Sequence, residues 1–106
     1  APTEPGRDSD QLDRLLIRRC VGEALDGSLV DTHARCSGKV DVPLLRRLIE
    51  DGNRQRQQIW ARLQIAAKGK SLAEVRAAWR AVHLDNVVCG AQLEVAAGKW
   101  EAKSCD

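Results

Sequence analysis

Methionine, tyrosine and phenylalanine are missing from this sequence altogether, and the tryptophans Trp60, Trp79 and Trp100 are its only aromatic residues. Charge of one sign is also in short supply: 17 Lys and Arg stand against 15 Asp and Glu, a formal +2. A near-neutral chain with so few rings is a poor nucleic-acid binder, which needs a basic face interleaved with stacking side chains. No apolar run approaches the roughly 20 residues needed to cross a bilayer. No basic and apolar leader stands at the start, so a leader has been removed or there was none. Ala1, in a chain without Met, fits a processed or engineered terminus. A nucleophile elbow, a phosphate loop and a metalloprotease helix are all absent. His33 and His83 form no acid and base pair with a Ser, Cys or Asp at a recognisable spacing. What is left is one domain of 106 residues, 43% apolar and 30% charged. A chain of this size buries about two thirds of the surface its unfolded form exposes, which leaves little stability to spare.

Cysteine is the residue this chain has in quantity, at Cys20, Cys36, Cys89 and Cys105. Both consecutive pairs are sixteen residues apart, with a chain reversal midway in each. In the first the reversal is Asp26-Gly27, whose residues tolerate positive φ. In the second it is Ala96-Ala97-Gly98, and a three-residue loop with Gly98 left-handed pairs Val95 with Lys99 and brings Cys89 opposite Cys105. The spacing therefore predicts disulfides Cys20–Cys36 and Cys89–Cys105. Each closes a loop of about 16 residues, contributes about 3 kcal/mol in the chain-entropy model, and persists only in an oxidising compartment. The alternatives are four unrelated buried thiols or a zinc site. His33 lies three residues before Cys36 and His83 six before Cys89, neither being the tight clamp of a structural zinc site, so no metal or other cofactor is expected.

Along the chain, residues 1–8, with Pro2, Pro5 and Gly6, read as a disordered leader, and 9–106 as a single helical domain ending in a hairpin. A first helix is expected from Asp8, with Leu12, Leu15, Leu16 and Cys20 on its apolar face. Val21-Gly22-Glu23 breaks that pattern, and Ser28-Leu29-Val30-Asp31 is a short strand. Pro43 pre-sets the first turn of the longest helix, which runs to Lys68-Gly69. Its apolar stripe is Leu45, Leu48, Ile49, Ile59, Leu63 and Ala66, with Trp60 beside it. Gly52, Asn53, Gln55 and Arg56 interrupt the stripe, so either something polar meets the helix there or it lies exposed. Ser71 and Glu74 form a capping box for a third helix with Val75, Trp79 and Val82 on one face, ending near Cys89-Gly90. The expected fold is mainly α: three helices, the central one long, with one or two short β-hairpins, stapled by disulfides.

The order Val21-Gly22-Glu23, Asp26-Gly27, Leu29, then Leu48-Ile49-Glu50-Asp51-Gly52-Asn53 with Arg56 and Trp60, then Ser71 with Val75, and finally Gly98-Lys99-Trp100, resembles the YdbL-like family of small bacterial periplasmic proteins. The likeness covers roughly residues 12–103 and rests on order and spacing. Three features depart from the family pattern: residues 32–38 read as an insertion, Ser28 stands where an aromatic is usual, and the four Cys are additional. The resemblance implies a helical protein exported to the periplasm by a cleaved signal peptide, without catalytic activity. It further implies an accessory or chaperone-like role beside AsmA-like envelope proteins of lipid transport, the expected partner class.

Asn53 and Arg56 are the leading site candidates, because both interrupt the apolar stripe and both match the family. They either bond carbonyls of the 21–28 turn, with Arg56 stacked on Trp60, or read a partner's strand or carboxylate. Trp60 and Trp79 stand by apolar stripes and read as core, whereas Trp100 on the terminal hairpin is the better interface candidate. That hairpin, or the strand after Asp26-Gly27, presents an edge able to accept a partner strand. The long helix carries Arg46, Arg47, Arg54, Arg56, Arg62 and Lys68 against Glu50 and Asp51, usually a solvated face. The enzymatic alternative is a loose likeness to the all-helical chorismate mutases, with Arg14, Arg46, Arg54 and Arg62 holding a dicarboxylate.

Overall fold

The computed structural model describes residues 3–105, with side chains from Asp10 onward. Helix α1 (Thr3–Ile17) starts ahead of the expected Asp8. Of the leader expected at 1–8, residues 1 and 2 lie outside the described residues, and from Thr3 the chain is helical. Strands β1 (Val21–Glu23) and β2 (Leu29–Asp31) follow, then a single 3₁₀ turn, His33–Arg35. Helix α2 (Val42–Ala66) is capped by Asp41, whose carboxylate accepts from the Leu44 amide, with Pro43 in its first turn. Helix α3 (Leu72–Asn86) begins on the complete Ser71/Glu74 capping box. Strands β3 (Gln92–Ala96) and β4 (Lys99–Ala102) complete the chain.

The two hairpins are not separate ornaments on a helical protein. They join into one four-stranded mixed sheet in the order β2-β1-β3-β4, and the expected mainly α fold is corrected to a helix-plus-sheet architecture. The join is a parallel pairing of β1 with β3, Glu23 opposite Leu93. Val21-Gly22-Glu23, expected only as a break in helical pattern, is the strand at that seam. Three residues carry too short a period to be read as a strand, and their partner lies at the other end of the chain.

Both disulfides form as the spacing predicts, with Cα atoms 4.2 Å apart for Cys20–Cys36 and 5.7 Å for Cys89–Cys105, and no cysteine is left free. The expected terminal register holds where Gln92 faces Ala102, Leu93 faces Glu101 and Glu94 faces Trp100. It then shifts: Lys99 pairs with Ala96, a bulge takes up Val95, and Gly98 turns the chain with φ 74°.

One face of the sheet carries the core, where Leu15, Leu16, Leu29, Leu45, Leu48 and Val87 pack around Cys20 and Val21. The far half of α2 differs from the expected stripe. Trp60 is buried, whereas Leu63 is 40% exposed and Ala66 is exposed too. A helix of 25 residues is about 37 Å long at its usual rise, while strands of three to five residues span roughly 10–17 Å. The last turns of α2 therefore overhang the sheet. On α3, Val75 is buried as expected but Val82 is 65% exposed.

Candidate functional site

The polar interruption in α2 is the place where the β1–β2 hairpin docks. Gly52 lets it in: a Cβ there would come within 2.7 Å of Leu29 Cδ1. One residue on, the Asn53 side chain accepts from the Leu29 amide (2.8 Å) and donates to the Leu29 carbonyl (3.0 Å). Asn53 thus occupies the outer edge of β2 as a neighbouring strand would. Replacing Asn53 by Ala strips both Leu29 backbone groups of their partner, and unsatisfied groups of this kind cost about 1–3 kcal/mol each. The midpoint of chemical denaturation for Asn53→Ala is expected to fall while the slope stays that of the parent.

One helical turn further, Arg56 enters the interior. Its guanidinium grips the Glu23 carboxylate bidentately, Nη1 to Oε1 at 2.7 Å and Nη2 to Oε2 at 2.9 Å, and Nη1 also donates to the Gly27 carbonyl at 2.8 Å. Glu23 is 1% exposed and Arg56 7%. From α3, His83 Nε2 lies 2.9 Å from Glu23 Oε2 and 3.2 Å from Arg56 Nη2. A carboxylate only accepts and a guanidinium only donates, so Nε2 serves Glu23 when it carries a proton and Arg56 when it does not.

Burial alone would raise the Glu23 pKa, but hydrogen bonds from Arg56 and His83, with the charge of both, outweigh it and hold the carboxyl below its ordinary value near 4.5. Rings enclose the cluster. Trp79 stacks on His83 with centroids 4.5 Å apart and meets Trp60 edge-on at 5.5 Å. The Arg56 guanidinium lies over Trp79 (5.1 Å), not over Trp60 as expected, and Trp60 is covered by Arg76 at 4.2 Å.

This arrangement spends its polar groups internally. Both Glu23 oxygens are taken, and among the described residues no hydroxyl or thiol hydrogen-bonds to His83. It acts as a clasp between hairpin, α2 and α3. Of the sequence candidates, Asn53, Arg56 and Trp60 are brought together around the hairpin, and Trp100 is elsewhere. Glu23 and His83 escaped the sequence reading. The available signal was Glu23 itself, a carboxylate between apolar neighbours in the same ordered set of motifs as Arg56.

Trp100 sits on β4 at the opposite side of the sheet, its ring laid over Gly22, where a Cβ would overlap it. The Arg35 guanidinium stands 5.9 Å above that ring. Arg35 is carried there by the segment 32–38, which holds the 3₁₀ turn. That segment is pinned by the Cys20–Cys36 bridge and by Arg18, which donates from Nε to the Ser37 carbonyl at 3.0 Å and from Nη2 to the Lys39 carbonyl. Between that segment and the terminal hairpin runs an open groove of about 470 Å³. β4 is the outermost strand, and among the described residues no strand pairs with its far side.

The arginines of the enzymatic alternative do not converge. Arg46 lies 4.0 Å from Asp31 and Arg54 3.1 Å from Asp51, both at the surface. Arg62 is exposed, and Arg14 lines a shallow groove with Lys39 and Asp41. Among the described residues no group of three or more His, Cys, Asp or Glu is placed to hold a metal ion, and no helix is long and apolar enough to cross a membrane.

Comparison with protein-family models, curated proteins and solved structures finds no match for this chain. Fold and site define its class on their own terms: a small disulfide-linked helix-and-sheet domain with a buried ion cluster and, among the described residues, a β4 edge that no strand pairs with.

Proposed function

We propose that this chain is an exported, non-catalytic protein-interaction domain of the bacterial envelope, an accessory or chaperone-like factor. The observation that carries the reading is the contrast between the two edges of the sheet. Asn53 occupies the backbone groups of β2 at Leu29, while among the described residues no strand pairs with the far side of β4. An uncovered edge invites strand addition and is normally blocked where it has no use. The two disulfides support an oxidising compartment. Resemblance to the YdbL-like family supports the periplasm after removal of a signal peptide, with AsmA-like lipid-transport proteins as partners.

The test is photo-crosslinking in the native envelope from a reactive residue placed at Lys99 or Glu101 on β4, with Gln57 on the exposed side of α2 as control. The expected result is an adduct with an AsmA-like envelope protein from the β4 positions alone. Equal labelling from Gln57, or adducts confined to proteins outside the envelope, overturns the reading.

A further inference from the structure

The open groove beside β4 has a chemistry of its own. On its floor Gln92 is 2% exposed and donates from Nε2 to the Val21 carbonyl (3.3 Å) and to Thr32 Oγ1 (3.0 Å), which leaves Oε1 a buried acceptor without a partner. On one wall is Trp100 under Arg35; on the other are Arg18 and Arg19. Arg18 is spent on the Ser37 and Lys39 carbonyls. Arg19 and Arg35 are exposed, and among the described residues neither has a carboxylate within ion-pair distance. The one acid on the lining, Glu101, lies 3.9 Å from Lys99. The C-terminal end of α1 adds roughly half a negative charge at most, so the three guanidiniums dominate the field in the groove.

Arg19 also carries backbone strain. It has φ 66°, and its amide and that of Cys20 close α1 by bonding the Leu16 and Leu15 carbonyls. That left-handed closing position is normally given to glycine, because a Cβ is disfavoured there. Glycine would close the helix without that cost, so what Arg19 adds at this position is its guanidinium.

We propose that this groove binds an acidic segment of a partner protein in extended conformation, its backbone added to β4 and its carboxylates taken by Arg19 and Arg35 over the Trp100 ring. The inference deepens the envelope-interaction reading and rests on it for the existence of a partner. A peptide is favoured over a free anion or a lipid headgroup because the cations share a groove with Trp100, Glu101 and Ala102 of β4, a strand whose far side has no partner strand among the described residues and so offers main-chain donors and acceptors.

The probe is a capped octapeptide alternating Glu and Thr, titrated into the disulfide-intact protein with amide shifts read by NMR. Its Lys-Thr counterpart, inorganic phosphate and phosphatidylglycerol vesicles are run in parallel. The expected result is at least tenfold tighter binding of the acidic peptide than of the lysine one, with shifts along β4 and weakening by added salt. Arg19→Gly is expected to weaken binding tenfold or more while raising the melting temperature by about 4 °C, the size of shift that roughly 1 kcal/mol produces in a domain this small. Arg35→Ala weakens it at unchanged melting temperature. Equal affinity for both peptides, full competition by phosphate, or binding of vesicles without binding of peptide overturns the inference. Binding of the acidic peptide without any envelope adduct from β4 would overturn the proposed function and leave the groove chemistry standing. An envelope adduct with no acidic preference would do the reverse.

Discussion

Arg56→Ala is expected to remove about 3–5 kcal/mol of stability at pH 7, the range seen when one partner of a buried ion pair is taken away and the other is left uncompensated. A domain of this size has about 5–15 kcal/mol in all, so the variant is marginal at room temperature. The pH dependence identifies the cause. In the parent, Glu23 is held below its ordinary value near 4.5. Its contribution is therefore complete above that value and is lost as pH falls through the lower folded pKa. In Arg56→Ala the same carboxyl keeps its burial and loses its bidentate cation, so its folded pKa moves above the unfolded one and the sign reverses. Acidification from pH 7 towards 5 then stabilises the variant while leaving the Glu23 contribution in the parent unchanged. Urea unfolding at the two pH values measures this directly. Equal losses at both would mean that the guanidinium acts by packing on Trp79 alone. The double change Glu23→Leu with Arg56→Met is expected to recover part of the loss, since replacing both members of a buried pair by apolar groups is often neutral but the buried Gly27 carbonyl still lacks the donor Arg56 gave it.

Removing the disulfides is the second large effect. Each bridge spans sixteen residues of sequence, which corresponds to about 3 kcal/mol in the chain-entropy model. The pair together is then comparable to the whole stability of a small domain. In excess reductant the protein is expected to lose its cooperative thermal transition. Cys89→Ser with Cys105→Ser, keeping Cys20–Cys36, is expected to stay folded with a melting temperature lower by about 12 °C or more. Circular dichroism melts, with intact mass before and after alkylation to count the bridges, decide the matter. A reduced protein that still melts cooperatively at the parent temperature would show that the bridges add nothing to the core.

Local signals made much of this legible in the sequence. The disulfide pairs, the Ser71/Glu74 box, the Pro43 start of α2 and the terminal hairpin each rest on residues close together in the chain, and each is present. Arg56 stood out because a charge interrupted an apolar stripe. Its partner could not be seen the same way: Glu23 is 33 positions earlier on a strand of three residues, and His83 is 60 positions beyond Glu23. The β1–β3 seam was invisible for the same reason, since a parallel pairing leaves no turn to announce it. On α2 the error ran the other way. Periodicity continued through Leu63 and Ala66 because it reports amphipathicity, not whether a sheet is long enough to lie beneath.

The pairing of the cysteines bears on how the molecule is made as well as on how long it lasts. Four cysteines allow three connectivities, and here the first joins the second and the third joins the fourth. An oxidant that met the chain from its N-terminus and linked each new thiol to the one before it would give this same pattern. Neither bridge waits on the seam between the two ends of the chain, and neither has to be broken for the other to form. Each bridge can therefore form directly between thiols sixteen residues apart, with no need of the thiol reshuffling that takes seconds to hours.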